Sequence, residues 1–347
     1  MTERIAIHPD QPQIAVIEHA AAVIRAGGLV AFPTETVYGL GADAFNAVAV
    51  KRIFMVKGRP AYDPVIVHIA DVAELTRVAA HVPPVAYTLA THFWPGPLTL
   101  VLPKADAIPP VVTADGPTIA VRCPRHPVAL ALIRAAQRPI AAPSANRFGH
   151  TSPTTAEHVW HDLRQHVDLL LDGGPTAVGV ESTVLDITKP TPVILRPGGV
   201  TVEALRAVLG EVVMHSGDSG AAPLASPGLL DRHYAPSTTL HLYTGTEPAI
   251  QAALVGIADD AAGVDVRLGL LVADEDLPLL ADSPHVIAAV GPLTDLEQVA
   301  QRLFAALRTL DAANVELIVA RDFPAVGLGV AIRDRLRRAA DQTIHVG

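Results

Sequence analysis

Several short runs in the first 200 or so residues combine hydroxyls, cations and glycines in a way suited to holding small anions. The densest is Phe32-Pro-Thr-Glu-Thr-Val-Tyr-Gly-Leu-Gly41, where an apolar strand empties into a loop with two threonines, a carboxylate and two glycines. A polar turn that needs positive φ uses the same residue types, so composition alone leaves both readings open. Lys57-Gly-Arg-Pro60 closes a helix, where its cations complement the macrodipole for about 0.3–1 kcal/mol. They stand out because lysine occurs only at Lys51, Lys57, Lys104 and Lys189. The run continues through Asp63-Pro-Val-Ile-Val-His68 to a titratable imidazole at a strand end, where a satisfied core histidine is the commoner case. Arg122 follows the apolar Thr118-Ile-Ala-Val121. A guanidinium leaving a buried strand needs an acidic partner or an anionic ligand, because an unpaired buried charge costs several kcal/mol.

Further along, Ala141-Ala-Pro-Ser-Ala-Asn146 ends another apolar strand, and Thr151-Ser-Pro-Thr-Thr-Ala-Glu157 opens a helix. Thr154 as N-cap with Glu157 three residues on predicts a capping box, which sets Ser152 beside free backbone N–H groups. Gly179-Val-Glu-Ser-Thr-Val-Leu-Asp186 and Ile194-Leu-Arg-Pro-Gly-Gly199 repeat the theme of a polar or cationic residue at a strand terminus. Open sheets bind ligands at strand ends. Together the runs point to a site for a small anionic substrate plus a polyphosphate. No Walker A sequence is present, so arginine, lysine, serine and backbone would hold any nucleotide. Cys123, the sole cysteine, removes internal disulfides and thiolate metal sites and is expected to be a small buried hydrophobe. His158, His161 and His166 fall on the helix after Glu157 without an H-E-x-x-H pattern, as expected of a solvated face.

The elements that position these groups follow from periodicity. Helices are predicted at Ile14–Arg25, closed by Gly27-Gly28, at Ala47–Lys57 and at Val128–Ala136. Apolar runs predict strands at Leu29–Phe32, Val65–Ile69, Leu98–Leu102, Ile119–Arg122, Pro139–Pro143, Leu169–Asp172, Thr183–Ile187 and Val193–Arg196. The first 209 residues therefore form an α/β domain with a mixed sheet. From 210 to 238 the chain turns to Ser, Gly, Pro and Ala and reads as a linker, holding the island Ser226-Pro-Gly-Leu-Leu-Asp-Arg-His-Tyr-Ala-Pro236. Residues 239–347 alternate strand and helix, the pattern of a small open parallel sheet of Rossmann-like kind. With 347 residues, two domains are the ordinary expectation. No apolar run approaches the length of a membrane span, and the N-terminus lacks a secretion signal, so a cytoplasmic protein is expected. The net charge of −9 argues against a domain whose main role is gripping a nucleic-acid backbone.

Taken together, PTETVYGLGADA from Pro33, KGRP from Lys57, PVIVHIAD from Pro64, WPGPLTLVL from Trp94, VRCPRHP from Val121, APSAN from Ala142, ESTVLD from Glu181, LRPGG from Leu195 and SPGLLDRHYAP from Ser226 resemble the threonylcarbamoyl-AMP synthase family. This is the YrdC-like family in its two-domain form, and the match is specific over roughly the first 240 residues. The resemblance implies a YrdC-like mixed twisted sheet with helices, and condensation of L-threonine, bicarbonate and ATP to threonylcarbamoyl-AMP, pyrophosphate and water, with magnesium accompanying ATP. It implies that the product serves threonylcarbamoyladenosine modification of tRNA by downstream proteins, direct tRNA contact being the weaker expectation. Carried over by position, Thr36, His68, Arg122, the Ala142 backbone and Ser182 would hold threonine. Lys57, Arg59, Asp63, Thr118, Ser144, Ser152, Arg196 and Tyr234 would line ATP, with Lys57 and Arg59 also counted as catalytic. Asp63 stands where the family usually has asparagine, and a carboxylate near phosphates needs magnesium or Arg59 to offset it. The Ser226–Pro236 island would cover the site as a lid. Other classes compete: a plain RNA-binding module, a carbamoyltransferase whose zinc fingers one cysteine cannot supply, and a ligase making an ordinary acyl-adenylate.

Overall fold

The computed structural model describes residues 2–215 and 232–347. The chain divides into two compact units, Met1–Phe148 with Ser152–Leu229, and Gly149–Thr151 with Leu230–Gly347. The first unit begins with β1 (Glu3–Ala6), α1 (Ile14–Arg25), β2 (Val30–Phe32), β3 (Gly39–Asp43), α2 (Ala47–Lys57) and β4 (Val67–His68). It continues with α3 (Leu75–Val78), α4 (Pro84–Phe93), β5 (Leu98–Pro103), β6 (Thr118–Arg122), α5 (Pro127–Ala136) and β7 (Ile140–Ala141). It ends with α6 (Ala156–Leu163), β8 (Leu169–Asp172), β9 (Thr183–Asp186), β10 (Val193–Arg196), α7 (Val202–Leu209) and β11 (Val213–Met214).

These strands form one mixed sheet in the order β1-β8-β2-β3-β7-β4-β6-β5-β9-β10-β11. The helices α1 and α2 have the predicted bounds, set by apolar stripes and by glycines in the left-handed region at Gly27 (φ +80°) and Gly58 (φ +64°). Asn46 caps α2, its side chain accepting from the N–H groups of Val48 and Ala49. Two departures bear on the site. The predicted Pro33–Gly41 loop ends at Tyr38, because Gly39–Asp43 is a strand between β2 and β7. A Cβ on Gly41 would lie 2.7 Å from the Phe32 ring and 2.8 Å from Ile140, so the close approach of these three strands requires glycine. The predicted strand Val65–Ile69 pairs only over Val67–His68. The predicted linker also begins late: Val213–Met214 is still a strand, parallel to β10.

Alternation along the central strands separates two faces. Val65, Val67, Leu98, Leu100, Leu102, Ile119, Val121, Cys123 and Leu185 point into the main apolar core. The alternate residues face the other way, where Ile66, Val101, Ala120, Val184 and Leu195 form a smaller apolar patch. Cys123 is thus a core residue, and burial pushes its thiol up to about 12, which leaves no thiolate for nucleophilic chemistry.

The second unit carries β12 (Leu240–Gly245), α8 (Glu247–Gly263), β13 (Leu268–Val272), β14 (Val286–Ala289), α9 (Leu296–Ala312), β15 (Leu317–Arg321), α10 (Gly329–Ala339) and β16 (Gln342–Val346). Its sheet runs β14-β13-β15-β12-β16 with every pairing parallel. The predicted open parallel sheet is present, with α8 following its first strand. No helix among the described residues is long and apolar enough to cross a membrane. The proposed lid falls partly on residues 226–231, outside the described residues.

Candidate active site

The polar groups of the first unit meet on one face of the sheet, and strand register brings them there. His68 is directly opposite Arg122, Arg122 opposite Thr99, Thr99 beside Val184, and Val184 opposite Arg196. Directly opposed residues in a sheet point to the same side with Cβ atoms about 5 Å apart, so this row runs across five strands beside the small apolar patch. His68, Arg122 and Arg196 each close their strands, as expected of groups at strand ends, and the pairing adds that they share one row. Arg196 joins it through a β-bulge between Ile194 and Arg196. Regular pairing would set Arg196 opposite Thr183 and turn the guanidinium toward the main core; the extra residue re-aims it.

Arg122 is buried, and each of its three nitrogens has a protein group beside it. Its Nη2 lies 2.8 Å from Glu35 Oε1, its Nη1 donates to Thr36 Oγ1 at 2.9 Å, and its Nε donates to the Gly96 carbonyl at 3.3 Å. The acidic partner that a buried guanidinium demands is therefore Glu35, which sequence patterns left among the polar loop residues. Thr36 Oγ1 is also 2.8 Å from Thr34 Oγ1. His68 is buried against the edge of Phe32, and burial together with the Arg122 charge lowers its imidazole to about 3. Unfolded, the same ring titrates near 6.5, so between those two values the unfolded chain holds a proton that the folded one does not. His68 is expected to remove about 1.4 kcal/mol of stability per pH unit as pH falls from 6.5 toward 3. Denaturant titrations across that range check this, and His68→Gln should show a slope shallower by that amount.

Lys57 ends α2 with its ammonium turned inward, Nζ donating to the carbonyls of Ser144 at 2.6 Å and Asn146 at 2.5 Å. Burial, with the Arg59 charge beside it, holds Lys57 well below the usual lysine range. Arg59 donates to the carbonyls of Asp63 (2.9 Å) and Pro64 (2.6 Å) and pairs with the Asp63 carboxylate at 2.9 Å. Burial raises Asp63, while the charges of Arg59, Lys57 and Arg196 pull it back. Arg59 thus offsets the carboxylate, and the same balance draws Lys57, Arg59, Asp63 and Arg196 into one electrostatic group.

Arg196 donates to the Ser182 carbonyl (Nη2 2.9 Å) and its hydroxyl (3.3 Å), and Ser182 Oγ is 2.7 Å from Thr99 Oγ1. Gly198 packs so closely on this segment that a Cβ would lie 2.3 Å from the Glu181 carbonyl oxygen, so backbone contact here requires glycine.

Other expected residues fall differently. The N-cap of α6 is Thr155, whose hydroxyl accepts from the His158 N–H, so the Thr154–Glu157 capping box is replaced by a cap one residue later. Ser152 does not wait beside helix N–H groups; its buried hydroxyl donates to Glu181 Oε1 at 2.5 Å. His158 and His161 are on α6, whereas His166 lies beyond its end. The Ala142 N–H is taken by the Ile66 carbonyl at 2.9 Å. Thr118 shares the Arg122 face of β6 but opens the strand, roughly 13 Å away along it. Tyr234 belongs to the second unit, at φ +65°, with its ring stacked on Phe304 at 5.8 Å and Arg335 4.9 Å over it. Glu35 and Glu181 are the buried acids that motif spacing did not single out. Only the demand of Arg122 for an acid hinted at the first.

The fold and this face define a two-unit α/β protein whose larger unit holds three buried arginines and a buried lysine around a short polar row. Its residues 22–198 match the family model described as "Telomere recombination", and 200–341 the one described as "Threonylcarbamoyl-AMP synthase, C-terminal domain". The threonylcarbamoyl-AMP synthase of Bacillus subtilis is 47% identical over 334 residues, 95% of this chain and 94% of that one. The Pyrococcus abyssi synthase is 43% identical over 331 residues, 94% and 95% of the two chains. A solved Pyrococcus abyssi structure complexed with L-threonine superposes with a TM-score of 0.93 at 41% identity, over the full length of both. The chain belongs to the threonylcarbamoyl-AMP synthase family.

Proposed function

We propose that this chain condenses L-threonine, bicarbonate and ATP to threonylcarbamoyl-AMP, releasing pyrophosphate and water. The observation that carries the assignment of sites is the division of the buried cations into two groups. Arg122 with Thr36 and His68 forms one, a guanidinium fork suited to an amino-acid carboxylate. Lys57, Arg59 and Arg196 form the other, suited to a triphosphate. Full-length relatives named for this reaction support the reading, as does the likeness to a threonine-bound structure.

The chemistry needs no enzyme nucleophile. Threonine's amine takes up bicarbonate as a carbamate, whose oxygen attacks the α-phosphorus and expels pyrophosphate. The protein then acts by positioning and by neutralising developing charge, the usual pattern in phosphoryl-group chemistry. Arg122 and Thr36 fix the carboxylate, with His68, Ser182 and the Ala142 backbone around the rest of threonine. Lys57, Arg59 and Arg196 face the phosphates, with Thr118, Ser144 and Ser152 completing the ATP contacts from the first unit. No cluster of three or more metal-ligating side chains occurs among the described residues, and Asp63 is tied to Arg59. Magnesium therefore belongs to this reading as the triphosphate's own counter-ion, part of the substrate. Supply of the adenylate to tRNA-modifying proteins in the cytoplasm completes the reading.

An assay of pyrophosphate release with threonine and bicarbonate each left out in turn tests it. Release is expected only when both are present. Release with threonine alone would select an ordinary acyl-adenylate ligase, and salt-sensitive RNA binding without ATP turnover would select a binding module.

A further inference from the structure

Glu35 is a buried acid of the site that the carried-over roles leave unused. Its Oε1 faces Arg122 Nη2 at 2.8 Å, and its Oε2 has no hydrogen-bond partner among the described residues. The residue is 4% exposed, and its carbonyl accepts from the Val178 N–H, which fixes the backbone that carries it. A buried carboxylate oxygen without a donor is costly, so the open position calls for a ligand that brings an N–H or a positive charge. Nδ1 of His68, across the register from Arg122, is likewise without a partner among the described residues. A guanidinium and a carboxylate side by side complement the two ends of an amino-acid zwitterion.

Resting on the functional reading above, we propose that Glu35 is the general base for threonine: Arg122 takes the carboxylate, and Glu35 Oε2 accepts the ammonium and removes one of its protons. The N–H bond breaks, the proton passes to Glu35, and the nitrogen lone pair is released. The neutral amine then attacks bicarbonate, forming the N–C bond of the carbamate and expelling water. Adenylyl transfer follows, with pyrophosphate leaving, and the proton on Glu35 returns to solvent as products depart. An ammonium cannot be a nucleophile, so the step must occur somewhere. The acid beside Arg122 is placed where the amine of an Arg122-bound amino acid would lie, one bonded carbon from the carboxylate.

The groups around Glu35 are Arg122 on β6, Cys123 just after it, His126 at the start of α5, and His68 beyond Arg122 on β4. Burial holds both histidines below their usual range and Cys123 far above its own, so none of them changes charge between about pH 7 and about pH 9. The full-length protein and Glu35→Gln are compared for threonylcarbamoyl-AMP synthesis across that window, in which α-amino groups lose their proton. At about pH 7, Glu35→Gln is expected to be roughly 100-fold slower in kcat, and to recover by about tenfold per pH unit while the wild type changes little. Pyrophosphorolysis of supplied threonylcarbamoyl-AMP to ATP, which reverses adenylyl transfer alone, should stay within about threefold of wild type. A pH slope equal to that of the wild type, or equal loss of pyrophosphorolysis, overturns the proposal. Should Glu35→Gln fail to fold, Glu35→Asp carries the test. Its carboxylate is drawn back by one methylene, so kcat should fall and rise with pH; a flat profile with only a raised KM overturns the role. The two readings fail separately. Wild-type turnover with an unaltered pH slope in the variant removes Glu35 alone, whereas absence of wild-type turnover removes both.

Discussion

Arg122→Ala is expected to lower kcat/KM for threonine by at least about 100-fold, equivalent to about 2.7 kcal/mol. The guanidinium is buried, and its removal strands two groups at once. Glu35 loses the cation 2.8 Å from Oε1, and Thr36 loses the donor at 2.9 Å. Truncating one member of a buried charge pair costs about 2–5 kcal/mol, much of it from the acid left behind. The protein itself should therefore also be less stable, which a thermal melt run beside the kinetics separates from the loss of binding. Arg122→Lys should recover only part of the loss, because a point charge cannot span the acid, the hydroxyl and the carbonyl of Gly96 as the planar fork does. Steady-state kinetics with each substrate varied checks the assignment: a loss that appears equally in the KM for ATP would move Arg122 out of the threonine site.

Lys57→Ala and Arg196→Ala should each reduce turnover at least tenfold, about 1.4 kcal/mol of transition-state stabilisation. Near-normal rates in both would mean that the phosphates are held elsewhere. Lys57 carries a second signature. Burial and Arg59 disfavour its charged form in the free protein, whereas a triphosphate beside the amine would favour it. ATP binding is then expected to take up a proton, and to weaken as pH rises through the bound-state value. Calorimetry in two buffers of different ionisation enthalpy measures that uptake, which should vanish in Lys57→Ala. In Arg196→Ala the Ser182 carbonyl and hydroxyl lose their donor, so part of the loss should show on the threonine side through Ser182.

Much of this protein is written locally. The apolar stripes of Ile14–Arg25 and Ala47–Lys57, each ended by a glycine free to adopt positive φ, fix two helices to the residue. Uninterrupted apolar runs such as Leu169–Asp172 and Val193–Arg196 fix strands equally well. Long ordered motifs also named the family and singled out Lys57, Arg59, Arg122 and Arg196, which the fold buries. Where local signals compete, they misled: Gly39–Asp43 has turn composition but is a strand, since glycine is what three closely packed strands require there. The spacing to Glu157 favours Thr154 as the cap in sequence, and only the path of the chain into α6 makes Thr155 the cap.

What the sequence by itself determined is thus most of the central strands, the two glycine-ended helices, the two-part α/β character and the identity of the chemical groups. The tertiary structure alone decided how those groups face one another. Register places His68, Arg122, Thr99 and Arg196 in one row, and a single extra residue in β10 turns Arg196 toward it. Glu35 and Arg122 are 87 residues apart in number, yet 2.8 Å apart in space. Hydrophobic period and turn chemistry act over a few residues, whereas strand pairing and charge compensation are settled between segments that meet only when the chain folds.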